Sequence, residues 1–203
     1  PTSRAVAMRR ARRAAPVGSS PSRRQRARRR TAAPATCAVA AEVPPGAPLM
    51  AIVLVDSGQE RLGLEALGAF PYPLSIAIPA TRPDAGAVAA RYRAAGFEVL
   101  LAVDLPEGAA PADVEAAMAD WLDRVPQAAA VIEGAGSGLQ PTREASAQLA
   151  PILLESGHGL VMRPDGLDTA RKLIAREGVP AATLFGGSFL VLSDTLARTV
   201  IAP

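Results

Sequence analysis

The chain has 203 residues, 49% hydrophobic and 20% charged, which is enough for one domain with a real core. Its net charge of +3 hides an asymmetry, because residues 1–41 carry eleven Arg and no acid, leaving eleven basic against nineteen acidic residues for the mildly acidic body. The single cysteine, Cys37, excludes an internal disulfide and a structural zinc site, and no apolar run approaches the ~18 residues of a transmembrane helix.

Residues 1–48 are rich in Arg, Ala and Pro and hold almost no large apolar side chain. They cannot bury enough surface to offset chain entropy, so a disordered segment ending in the stiff VPPGAP linker is expected. Cys37 falls there as a bystander. Other readings stay open: phosphate-backbone binding by the Arg cluster at 23–30, an organellar transit peptide, or out-of-frame text from a GC-rich gene. No aromatic is interleaved for base stacking, so no specific nucleic-acid partner is expected.

The domain is expected over residues 49–203. Residues 49–55 form an apolar, β-branched run closed by Asp56-Ser57-Gly58, which reads as a strand buried on both faces. Helical spacing follows at 60–70, then a Pro-Tyr-Pro break, a strand at 74–78, an Ala/Arg helix at 84–95 stopped by Gly96, and a strand at 97–103. The helix at 112–125 places Val114, Met118, Trp121 and Leu122 on one face, with Pro111 at its start. A strand at 128–132 leads into the glycine-rich turn 133–138. A helix at 142–156, kinked at Pro151, follows. Strand 158–162, helix 168–177 and strand 181–185 complete the pattern. After an apolar stretch at 189–193 no convincing final helix follows, and the C-terminal part reads as truncated.

This rhythm means α/β architecture with parallel strands and helical crossovers. An open doubly wound sheet and an incomplete (β/α) barrel both fit it. In either, residues just past the strands share one edge, where α/β proteins assemble their sites. The candidates there are Asp56, Asp104, Glu133, Asp165, Arg163 and Ser137. His158, the one histidine, precedes a strand at the opposite end and is expected to face solvent. Nucleophilic systems that need a histidine base therefore have none in position. Gly134, Gly136 and Gly138 follow a strand and precede a helix, a weak anion-cradle signal.

The order of segments resembles the divergent polysaccharide deacetylases, a branch of the NodB-like deacetylase fold. AIVLVDSG at 51–58 resembles that family's first strand ending in I-D-D-L-G, and PLSIAI at 73–78 its second strand. AAGFEVLL at 94–101 is similar to A-G-H-E-V-L-L, and VIEGAGSGL at 131–139 takes the place of V-N-N-H-M-G-S. Segments 156–162 and 169–179 fall at its L-Y-F-L-D-S strand and its helix ending in G-V-P. The resemblance implies an incomplete or distorted (β/α) barrel, a divalent metal, a carbohydrate or envelope partner, and a bacterial periplasmic or envelope location.

The departures imply lost chemistry. Val55 stands where the family has its catalytic aspartate, Gly134 and Ala102 replace histidines, and Arg163 replaces an aspartate. Asp56 alone survives at a metal-ligand position. The expectation is an inactive deacetylase-like domain linked to carbohydrate metabolism, with no catalytic residue, no metal and no cofactor. Asp56, Asp104, Glu133 and Ser137 would then be vestigial or ligand-binding. A hydrolase of carbohydrate acetyl groups using non-standard acids and a protein-interaction scaffold are the alternatives.

Overall fold

The computed structural model describes residues 37–39, 51–58, 63–164 and 166–184. From residue 51 onward the order is β1 (Ile52–Val55), α1 (Leu64–Gly68), β2 (Leu74–Pro79), α2 (Ala85–Ala94), β3 (Glu98–Val103) and α3 (Pro111–Arg124). Then come β4 (Ala130–Glu133), α4 (Arg143–Ser156), β5 (Gly159–Met162), α5 (Thr169–Arg176) and β6 (Ala181–Thr183). Every strand pairing is parallel, and spatial order follows chain order from β1 to β6.

That order decides between the two architectures. A doubly wound sheet reverses direction at a switch point, whereas here every crossover advances the same way. Right-handed crossovers stepping in one direction put all the helices on one face of the sheet. The result is a curled half-barrel, an incomplete α/β barrel.

The middle strands β2, β3 and β4 are buried on both faces for most of their length. β1 corrects the expectation of a strand buried on both faces: as an edge strand it buries Ile52 and Leu54 toward the helices and leaves Val53 and Val55 half-buried on the inner side. The larger core lies between sheet and helices and takes Ile52, Leu54, Ile76, Ile78, Val99, Leu101 and Val131 from the strands. The alternate residues face inward. Ala77, Leu100, Ala102 and Ile132 form a second, smaller cluster, with Val53, Val55, Val161 and Leu184 packed against it.

Local sequence sets the helix ends. Asp113 accepts the Ala110 N–H at 2.9 Å ahead of Pro111, whose missing N–H costs nothing in the first turn. Val114, Met118 and Leu122 recur every four residues and are the buried face of α3. Burying each contributes about 1.5–3 kcal/mol. Trp121 is half-buried against the same core. Thr142 caps α4 by accepting the Ala145 N–H at 3.1 Å, and the helix continues through Pro151 to the left-handed Gly157.

Most expected elements agree within one or two residues. α1 is shorter than the 60–70 spacing suggested, and residues 59–62 are outside the described set. Asp165, Phe185 and the apolar stretch at 189–193 also lie outside it, as does the expected disorder of 1–48 apart from residues 37–39. Among those three, Cys37 is half-buried with a free thiol, and the Val39 N–H donates to Glu98.

His158 is a correction. It was expected to face solvent and is instead buried, 5% exposed. The Gly157 and His158 amides both donate to the Leu153 carbonyl, at 2.7 and 3.1 Å. These bonds close α4 and lead the chain directly into β5, which leaves no open loop around the histidine.

Gly86 marks the closest approach of α2 to the end of α3, since a Cβ there would stand 2.6 Å from the Arg124 carbonyl oxygen. Backbone cannot yield as a side-chain tip can. Gly86→Ala is expected to cost about 1–3 kcal/mol of stability, read as a lower urea midpoint at unchanged slope.

Candidate functional site

The strand-end edge carries two separate polar clusters. The first is built on Asp56, the residue after β1, whose N–H continues the ladder to the Ala77 carbonyl at 2.9 Å. Strand alternation turns Val55 toward the inner cluster and Asp56 toward the helices. The Asp56 side chain is 3% exposed. Its Oδ1 accepts from Arg82 Nη1 at 2.7 Å and from the Gly58 N–H at 2.9 Å. Its Oδ2 accepts from the Tyr92 hydroxyl at 2.8 Å. Arg91 approaches the same oxygen at 3.8 Å, and its guanidinium lies over the Tyr92 ring.

Arg82 is therefore fixed on both sides. Nη1 also donates to the Asp56 carbonyl at 3.0 Å, while Nε and Nη2 hold Asp84 at 2.9 and 2.8 Å. Gly58, at φ +83°, makes room for it, because a Cβ there would lie 2.9 Å from the Arg82 guanidinium carbon. The Asp84 hydrogen bond, opposed by partial burial and reinforced by Asp56, raises Arg82 further above its ordinary value. That same hydrogen bond holds the exposed Asp84 carboxyl below the usual aspartate range. Tyr92 is buried, and burial first, then the Asp56 hydrogen bond and charge, pushes its phenol up to about 12.

The second cluster joins Asp104, Glu133, Ser137 and Arg163 around the turn at 134–138. Asp104 Oδ1 accepts from the Gly136 and Gly138 amides at 3.0 and 2.8 Å. The loop does cradle an anion, and that anion is the chain's own Asp104. Gly134 is required by it, since a Cβ at 134 would fall 2.0 Å from Asp104 Oδ2. Ser137 Oγ donates to the Leu105 carbonyl, and the Leu105 N–H returns to Gly138 at 2.8 Å.

Glu133 is 2% exposed and ties β4 to β5. It accepts the Leu139 N–H at 2.7 Å, the Arg163 N–H at 2.7 Å and the Gln140 amide at 3.2 Å. Gly138, at φ +77°, leaves space for it, because a Cβ would stand 2.3 Å from Glu133 Oε1. The Arg163 guanidinium donates to the Gly136 carbonyl at 3.0 Å. Arg163 thus braces the glycine turn.

The four sequence-predicted residues are not one site. Asp104, Glu133 and Ser137 share a loop system, whereas Asp56 lies two strands from Asp104, about 10 Å of sheet width. Sequence reasoning missed Arg82 and Tyr92. Arg82 sits three residues past β2 in a turn, and Tyr92 on the buried side of a helix that reads as Ala and Arg. The one usable signal was electrostatic, because a buried acid demands a donor within reach.

A large concavity of about 1170 Å³ lies elsewhere, between α4 and α5, where the exposed Leu154, Leu167 and Leu173 line it. It belongs to the outer helical layer and contains none of the four predicted residues.

The model of the divergent polysaccharide deacetylase family matches residues 52–185, two thirds of the chain. The chain belongs to that family. A solved structure of an uncharacterized protein from Agrobacterium tumefaciens C58 superposes with a TM-score of 0.61 at 16% identity, covering 76% of this chain and 71% of that one. The likeness is one of fold. A search of curated proteins gives no significant match.

A divalent metal, which the deacetylase resemblance implies, does not fit the residues present. Each Asp56 oxygen faces a donor hydrogen, and a guanidinium stands where a cation would approach. Among the described residues no group of three His, Cys, Asp or Glu side chains could hold an ion. There is also no helix among them long and apolar enough to cross a membrane.

Two predictions come from these clusters. Gly134→Ala should cost about 1–3 kcal/mol by overpacking against Asp104, and Asp104→Gly in the same chain should recover part of it, measured by urea denaturation of the four-variant cycle. The Tyr92 phenol gives a pH dependence. The folded state holds its proton up to about 12, above the ordinary 10.0, so its contribution is complete below the ordinary value. Stability should fall as pH rises through that window, and Tyr92→Phe should remove this part of the slope in pH-dependent unfolding.

Proposed function

We propose that this domain no longer deacetylates, and that it serves carbohydrate metabolism as a non-catalytic unit with the deacetylase fold. The observation that carries this reading is the filling of the reactive positions. Val55 and Ala102 pack in the apolar inner cluster, and the space of a side chain at 134 is taken by Asp104. Metal-assisted hydrolysis needs an activated water and a proton acceptor beside it. An isopropyl group and a methyl group supply neither.

The same arrangement speaks against a hydrolase built from Asp56, Asp104 and Glu133. Each of these carboxylates already accepts two or more protein hydrogen bonds, and Asp56 lies two strands from Asp104 and three from Glu133. A general acid or base must reach a substrate proton, and these face their own backbone and side chains. The family supplies the carbohydrate link. Trp121 is half-buried in the core and Tyr92 fully buried, which leaves the exposed Tyr72, edge-on to Phe70, as an aromatic face that a sugar ring could reach.

The test is acetate release from N- and O-acetylated oligosaccharides, with millimolar Zn²⁺ or Mg²⁺ added. No release above the buffer rate is expected. Turnover that disappears in Asp56→Asn, Asp104→Asn or Glu133→Gln would sink the proposal.

A further inference from the structure

We propose that Arg82 is the resident cation of this domain: its guanidinium holds Asp56 as a bound metal ion would, and so closes the strand-end site to divalent ions. The inference deepens the non-catalytic reading by naming what occupies the surviving ligand position. It stands on convergence. The Asp56 carboxylate oxygen Oδ1 and the Asp56 main-chain carbonyl both point at one nitrogen, Nη1, at 2.7 and 3.0 Å. A carboxylate and a carbonyl turned toward the same positive centre are the donor types that hard cations take. Here the positive centre is covalently part of the chain.

The surroundings are shaped for this occupant. Gly58 carries no side chain where one would meet the guanidinium, and its N–H donates to Oδ1. The second oxygen is closed by Tyr92 from α2. Asp84 grips the other edge of the guanidinium in the fork geometry that favours Arg over Lys. Arg82 is thus positioned from two sides and its charge is met by two carboxylates. An ammonium, a point charge on a flexible stem, could not reproduce the paired Nε and Nη2 bonds to Asp84 while also serving Asp56.

A consequence separates this from an ordinary buried ion pair. An ion pair leaves behind only a destabilised carboxylate when its arginine is removed. A resident cation leaves the Asp56 Oδ1 and main-chain carbonyl converging on the vacated position, with the Asp84 carboxylate released beside them and Arg91 still only 3.8 Å from Oδ2, and a divalent ion can compete for that position. The experiment measures Ca²⁺ and Tb³⁺ binding to the wild type, Asp56→Asn, Arg82→Ala, Arg82→Gln and the double variant Arg82→Ala/Asp56→Asn, with circular dichroism confirming the fold. The wild type should bind neither ion in the millimolar range, whereas Arg82→Ala should bind both there, and its thermal midpoint should rise with added Ca²⁺. The double variant should lose this response. Should Arg82→Ala not fold, Arg82→Gln, neutral and nearly as long, carries the same test through its Tb³⁺ luminescence.

Folded Arg82 variants that bind no better than the wild type overturn the inference and leave the non-catalytic reading untouched. Wild-type binding abolished by Asp56→Asn overturns it as well. Acetate release by the wild type is read separately and bears on the functional proposal alone.

Discussion

A carboxylate taken out of water must be met by donors or it will not stay ionised, and the strand-end edge of this domain is organised around that constraint. Asp56 is one such case, its side chain only 3% exposed. It is met by a guanidinium from the turn after β2, a phenol from α2 and an amide from its own turn. One acid thereby fastens the first strand to the second βα unit. Asp104 does the same between the turns after β3 and β4, and Glu133 between β4 and β5. A half-barrel lacks the closing strands that would hold its ends in register. These three anions supply lateral ties at the edge where strands give way to loops.

The ties explain the glycines better than loop flexibility does. Gly58, Gly134 and Gly138 each stand where a methyl group would strike a charged side chain. Gly58 and Gly138 also have positive φ, at +83° and +77°, so their conformation is demanding as well as their space. Gly134 has no such φ and is fixed by space alone. The glycine-rich turn is therefore a mould around Asp104 and Glu133. Its amides point inward at an internal anion, and an external phosphate would have to displace it.

The sequence made much of this fold legible, because parallel α/β units announce themselves through local period and punctuation. The strands at 52–55, 74–79 and 98–103, the Pro111 start of α3 and the Gly157 end of α4 all follow from short-range rules. The choice between doubly wound sheet and barrel did not, since it depends on the direction of each crossover, a non-local property; the family resemblance supplied it. The acids were found because strand ends are predictable. Their partners were not, because Arg82 and Tyr92 come from a turn and a helix whose local patterns give no sign of a shared carboxylate. His158 was misread for a related reason. Its place ahead of a strand, at the edge away from the candidate site, suggested solvent, but Gly157 ends α4 immediately before it and the residue is buried.

Val55 and Asp56 make the last point, because a period of two separates their fates. The first turns inward to Ala77 and Ala102, the second outward to Tyr92. An aspartate at position 55 would set a carboxylate beside the apolar inner cluster, against which the half-buried Val55 now packs. Space at position 134 would be regained only by moving Asp104, which holds the turn. On the proposed reading, loss of chemistry and gain of packing are therefore coupled. The substitutions that empty the inner face of reactive groups are the ones that let it pack, and no single reversal restores a working site.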